Sequence, residues 1–240
     1  KTVLTTNFKE TLSPVFFTFD NKNVYAQSNL GRDKTAFIIF DLETGEEVEE
    51  LFKHEEVDVG GLYYSKKRKV LTAASFTTAK RNRHFFDDET KQLFERLEID
   101  LGDYEIGISS SSKNEDKFII RTYSDRSRGS YYFFDKTTDK LEKIHDISPW
   151  LNEDDMAAML PIKYQSRDGL TINGYLTLPV GYTMETAKDL PAVINPHGGP
   201  WARDNWGFNP EVQFLANQGY AVLQMNFRGS TGYGREFLEK

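Results

Sequence analysis

Apolar positions in the first 155 residues come in short runs closed off by clusters of Asp, Lys, Asn, Ser and Gly, which is the pattern of strands and turns. The runs recur. Phe-Asp-x-x-Thr appears at Phe40-Asp41…Thr44, Phe86-Asp87…Thr90 and Phe134-Asp135…Thr138, in steps of 46 and 48 residues. A second marker keeps the same steps: Val24, Val70 and Phe118 each open a β-type run after a polar turn. A period of about 40–50 residues with several short strands per unit is the mark of propeller blades. In "AFIIFDLETGEEVEELF" a strand meets Asp41, whose carboxylate suits backbone N–H groups further along the turn. Gly45 then tolerates positive φ, and a second strand follows. "YYFFDKTTDKLEKI" repeats this with Asp139 in the glycine's place, and "RHFFDDETKQLFERL" with Lys91, the poorest turn former of the three. The expectation is three consecutive four-stranded blades over residues 13–145, each containing such a hairpin. An ordinary antiparallel β domain with evenly spaced strands is the alternative. A ring needs at least four blades, so the propeller reading expects further blades before Lys1.

The pattern changes near residue 155. "SPWLNEDDMAAML" breaks the repeat with Pro149, an acidic cluster and a short Ala/Met run. "IKYQSRDGLTINGYLTLPVGY" then predicts two strands joined at Arg167-Asp168-Gly169, with Pro179 and Gly181 ending the second. Beyond it the order becomes strand, loop, helix, strand. "PAVIN" is a short apolar strand. Asn209-Pro210-Glu211 is a helix start, with an Asn cap, a proline at the first helical position and an acid in the first turn. Val212, Leu215 and Ala216 give that helix a buried side, and Gly219 stops it. "YAVLQMNF" is a near-continuous apolar strand, as expected of a parallel sheet covered on both faces. The boundary is drawn between residues 1–155 and 156–240.

Composition narrows the partners. The chain has 240 residues, of which 38% are hydrophobic and 28% charged, and a net charge of −7. That acidity argues against nucleic acid, which requires a basic surface. The basic clusters Lys66-Lys67-Arg68-Lys69 and Lys80-Arg81-Asn82-Arg83 read as solvated turns. Without cysteine there is no disulfide or Cys-based metal site; a cytoplasmic and a periplasmic or secreted location both stay open. No apolar run approaches the ~20 residues of a membrane span. The chain opens at Lys1 without a signal-like segment and closes on "GREFLEK", and both ends read as cuts in a longer polypeptide.

"INPHGGPWARDNWGF", residues 194–208, carries the candidate chemistry. A loop leaving the C-terminal end of a parallel strand is where α/β folds place ligands. Glycines there let a substrate approach the backbone and turn N–H groups outward, and Pro200 stiffens the loop. Such donors stabilise the oxyanion of a tetrahedral intermediate, each worth about 3–4 kcal/mol of barrier. A tight strand-to-helix turn using glycine for geometry alone is the competing reading. His197 has no partner in the sequence that would make it a base or a metal ligand, and His54, His84 and His145 read as surface residues of the repeat. "NFRGSTGYG" contains neither phosphate-loop pattern, and Ser230 does not sit in G-x-S-x-G.

The succession "SRDGLTINGYLTLP" and "AVINPHGGPWARDNWGFNPEVQFLANQGYAVLQMNFRGSTGYG" resembles the prolyl oligopeptidase family, in its acylaminoacyl-peptidase-like branch. The specific match covers about residues 160–240; residues 1–155 are similar only in kind. The resemblance implies a fold of β-propeller blades followed by the start of an α/β-hydrolase domain. It implies a serine peptidase cleaving short peptides with a Ser-Asp-His triad. The Gly199 N–H would be an oxyanion donor and Gly198 would set the loop geometry. Trp201, Trp206 and Phe208 would line the substrate cleft or pack against the sheet, and Arg228 would be structural. Nucleophile, Asp and His would all lie beyond Lys240, leaving this segment inactive alone. No cofactor or metal is implied, and no nucleic-acid or membrane partner; a homo-oligomer of the full protein is allowed. The loop would serve an esterase equally well, and a non-catalytic propeller-hydrolase binding protein is the reading from another class.

Overall fold

The structure, a computed structural model, describes residues 2–240. The first repeat is a four-stranded antiparallel meander, β1 (Leu12–Phe17), β2 (Val24–Ser28), β3 (Ala36–Asp41) and β4 (Glu46–Lys53), paired in chain order. The second contains β5 (Val59–Ser65), β6 (Val70–Thr77) and β7 (Arg81–Phe85), followed by helix α1 (Asp88–Leu101). The third is again four-stranded: β8 (Glu105–Ser111), β9 (Lys117–Tyr123), β10 (Ser130–Asp135) and β11 (Lys140–Asp146).

The expectation of three four-stranded blades therefore needs a correction in the middle repeat, where the sheet has three strands and the chain continues into α1 instead of a fourth. Asp87 does not close a hairpin. It caps the helix, its Oδ2 accepting from the Thr90 N–H (2.8 Å) and the Thr90 hydroxyl (2.6 Å). Beyond it Leu93, Phe94, Leu97 and Leu101 are buried at helical spacing. The basic cluster at residues 80–83 also departs from its reading as a turn, since Arg81 opens β7. The cluster at residues 66–69 is a turn, with Lys69 at φ +54°.

By contact, the chain divides into two compact units. One comprises the residues up to Lys91 with Gly199–Arg203 and Arg228–Lys240; the other comprises Gln92–Gly198 with Asp204–Phe227. In the first, Tyr25, Phe37, Val59, Leu62 and Ala74 form a buried cluster joining the first two sheets. Val24, Ala26, Ala36, Ile38 and Phe40 form a second, so β2 and β3 are apolar on both faces. Each large side chain so buried contributes about 1.5–3 kcal/mol.

The second unit contains the third blade and a mixed sheet. In that sheet β12 (Met159–Gln165), β13 (Thr171–Thr177), β14 (Ala192–Ile194) and β15 (Ala221–Asn226) lie in the order β12-β13-β15-β14. The β12–β13 hairpin turns at Gly169 (φ +83°). β14 and β15 are parallel, joined through helix α2 (Pro210–Asn217), whose Asn209 cap accepts from the N–H groups of Glu211 and Val212. The Gln213 amide, buried on that helix, donates to Ala157 O and Asp125 O and accepts from the Ala157 N–H, while Asp125 accepts from the Met159 N–H. These bonds tie the β9–β10 loop to the start of the mixed sheet. Among the described residues no helix is long and apolar enough to cross a membrane.

Candidate functional site

The His-Gly-Gly-Pro loop leaves the C-terminal end of β14, where the Asn195 N–H still donates to Leu223 O on β15. The His197 ring stacks on Phe227 at 4.4 Å and 16°, and its Nδ1–H donates to Gly198 O (2.8 Å). The imidazole thus braces the loop against the segment leaving β15. A Cβ on Gly198 would meet nothing within 4 Å. Gly199 differs: its φ is +136°, and a Cβ would lie 2.6 Å from the Trp201 nitrogen and 3.2 Å from the Ala202 nitrogen. Only glycine fits there. Among the described residues no hydrogen bond takes up the Gly199 N–H.

Two sets of contacts hold the flanks. In the second unit, Asp204 and the fully buried Asn226 pair reciprocally: the Asp204 N–H donates to Asn226 Oδ1 (2.7 Å), and Asn226 Nδ2 donates to Asp204 O (3.1 Å). Gln224 Nε2 donates to Asp204 Oδ1 (2.9 Å). Burial pushes the Asp204 carboxyl above the usual carboxylate range, against the pull of that bond and of His197.

In the first unit, Arg203 donates to Thr77 O and Thr78 O (both 3.3 Å) and to the Tyr233 hydroxyl (2.9 Å), with its guanidinium 4.4 Å over the Tyr233 ring. The Thr231 N–H donates to Ala202 O (2.9 Å). Two acids of the blade loops then grip the glycine-rich segment 232–236, which runs into α3 (Arg235–Leu238). Asp33 accepts the Glu236 N–H on Oδ1 and the Arg235 N–H on its carbonyl; Asp58 accepts the Gly234 N–H on Oδ2. Lys34 Nζ donates to Tyr233 O (2.8 Å). Burial alone would raise the Asp33 pKa. The Glu236 N–H and the Lys34 ammonium outweigh it and hold the carboxyl below its ordinary value.

The aromatics named from the sequence part company. Trp206 is buried with Met159 and Tyr175, its Nε1–H donating to Met159 O (3.0 Å). Phe208 is half-buried, and Trp201 is 74% exposed. Ser230 is fully buried, and Arg228 is exposed. His54 and His84 stack on Phe76 and Phe52. Sequence reading missed Asp33, Asp58 and Asn226. Only Asn226 left a signal there: with Gln224 it places amides at alternate positions of an otherwise apolar strand. Among the described residues no group of three His, Asp or Glu side chains could hold a metal ion.

Residues 206–240 match the prolyl oligopeptidase family. The chain is 31% identical over 231 residues to dipeptidyl aminopeptidase BIII of Pseudoxanthomonas mexicana, covering 95% of this chain and 33% of that protein. Its structure is similar to that of a Mycobacterium tuberculosis puromycin-hydrolyzing peptidase (TM-score 0.69, 18% identity, 97% of this chain and 36% of that one). It is also similar to the Pyrococcus horikoshii acylaminoacyl peptidase (TM-score 0.58, 15% identity, 95% and 34%). The structural likeness shows the fold, propeller-type blades followed by the opening strands and helix of an α/β domain. The chain spans about a third of the length of these relatives.

Proposed function

We propose that this chain, a relative of the prolyl oligopeptidase family, is a segment of a serine peptidase that hydrolyses short peptides. In this reading residues 1–155 are the last part of a propeller that screens the site, and residues 156–240 open an α/β-hydrolase domain. The Gly199 N–H supplies one half of the oxyanion hole, Gly198 shapes the approach, and Trp201 and Phe208 border the substrate, while Trp206 supports the sheet beneath. Nucleophile, Asp and His come from elsewhere in the full protein. Nucleic acid and membranes are not partners, and no cofactor takes part.

One observation carries the reading. Gly199 is held at φ +136° after β14, its N–H taken up by no partner among the described residues and with no room for a side chain. A simple turn has no need of a free donor at that point. A tetrahedral intermediate does: the substrate carbonyl oxygen gains charge as the nucleophile adds, and a fixed N–H answers it without reorganising. The relatives named as dipeptidyl aminopeptidase and puromycin-hydrolyzing peptidase support peptide-like substrates.

The test is an amide-to-ester replacement of the Gly198–Gly199 bond in the full-length protein. It deletes the N–H and leaves the backbone shape. kcat on dipeptide amides should fall roughly 10²–10³-fold with an unchanged melting temperature. Unchanged kcat would reduce the loop to a turn.

A further inference from the structure

A cavity of about 360 Å³ lies beside the third blade, within the range of about 300–1,000 Å³ typical of small-molecule sites. One side is the β9–β10 loop, where Arg126, Ser127 and Arg128 line it. The other is the stretch Ser148–Asp154, which leads out of β11. None of these residues belongs to the glycine loop.

The charges around it are incompletely matched inside the chain. Lys143 is satisfied by Asp146 (2.8 Å), which also accepts from Ser130 Oγ. Arg126 and Arg128 have no carboxylate partner among the described residues; Arg128 Nη1 donates only to Ser148 Oγ (3.2 Å). On the facing stretch, Glu153 accepts from the Tyr104 hydroxyl (2.6 Å), and Asp154 has no cation partner among the described residues. Burial, with the Glu153 carboxylate beside it, pushes the Tyr104 phenol well above its ordinary value, so it remains a donor to Glu153. The guanidiniums of Arg126 and Arg128 on one element and the carboxylates of Glu153 and Asp154 on the other line the same cavity and keep bonding capacity for whatever enters.

A simple anion would meet Glu153 and Asp154, and a simple cation would meet Arg126 and Arg128. A molecule carrying both charges satisfies both elements. Guanidinium forks suit carboxylates, and a carboxylate pair suits an ammonium. We propose that this cavity binds a small zwitterion of the amino-acid or dipeptide class, its carboxylate on Arg126 and Arg128 and its ammonium on Glu153 and Asp154. None of its lining residues is among those proposed for the peptidase centre, and the proposal does not depend on that reading.

The experiment is calorimetric titration of the full-length protein, first treated with a fluorophosphonate to block any active serine. The probes are glycylglycine, N-acetylglycine, glycinamide and inorganic phosphate. Glycylglycine should bind saturably, with each singly charged probe weaker by about tenfold or more. Arg126→Gln and Asp154→Asn should each weaken glycylglycine by about tenfold. Among the described residues Arg126 makes no side-chain hydrogen bond or ion pair, so its variant should keep the parent melting temperature; Asp154→Asn tests the other pole independently. The proposal is overturned if glycylglycine does not bind, if phosphate or glycinamide binds as well as it does, or if both variants bind like the parent. Peptidase turnover is not read, so this outcome and that of the oxyanion test are separate.

Discussion

The first and second repeats begin their Phe-Asp-x-x-Thr motifs in the same way and end differently. In both, the N–H four positions along donates to the Asp carbonyl: Gly45 to Asp41 (2.9 Å) and Lys91 to Asp87 (3.1 Å). In the first, Asp41 also accepts from the Glu43 and Thr44 N–H groups, Gly45 turns to φ +77°, and β4 runs back along β3. The third repeat follows the first, with Asp139 at φ +53°. At Lys91 the chain keeps right-handed geometry, and the same bond becomes the first of a helix. The motif therefore specifies a capped turn and nothing more. Whether a strand or a helix follows depends on the residue that must go left-handed and on the period of the apolar residues beyond it.

Three substitutions break or sharpen that comparison. The largest effect belongs to the helix's buried face. Leu97 is fully buried, and Leu97→Ala should destabilise the protein by about 2–4 kcal/mol in denaturant unfolding. A loss under about 0.5 kcal/mol would mean that the cap, not the face, makes α1.

Asp87→Ala comes next, at about 1–2 kcal/mol, since it removes the cap and leaves Arg68 without its closest carboxylate (2.5 Å). Burial works to raise the Asp87 pKa, but Arg68 and Thr90 outweigh it and bring it from 3.8 to about 2. The folded pKa is depressed, so the stabilisation is present above the unfolded pKa. It should disappear as pH falls from about 4 to about 2, costing about 2 kcal/mol in the parent and little in the variant. Parallel pH profiles of the two proteins would contradict this.

Gly45→Ala should cost about 1 kcal/mol, because a Cβ there takes an unfavourable φ and comes within 3.1 Å of Val3 O. A melting temperature equal to the parent's would show that the first hairpin does not rely on glycine.

Much of this architecture was legible because it is local. Spacing predicted the outer hairpins of the first and third repeats. The Asn209-Pro210-Glu211 start, the Gly169 turn and the apolar run of β15 predicted the βαβ unit. Lys91 marked the weak repeat, but the apolar residues after it were counted as a strand; Leu93, Leu97 and Leu101 recur every four, a helical period. The glycine loop stood out by composition. The residues that hold its surroundings did not, because Asp33 and Asp58 meet partners 203 and 176 positions away. They bond to main-chain N–H groups, which leave no trace in side-chain identity. Gln213 was hidden for the same reason: a polar residue on a helix reads as solvated unless its distant acceptors are known.

That long reach has a consequence for biosynthesis. The chain emerges from the ribosome N-terminus first, so Asp33 is released some 203 residues ahead of the Glu236 N–H it will accept. At about 5–20 residues per second the interval is roughly 10–40 s, ample time for the first meander to fold. The acids would wait on a finished surface, solvated and charged, until residues 232–236 arrive. The glycine-rich segment would then be moulded on a pre-existing template, and nascent chains stalled before it should already protect β1–β4 from proteolysis.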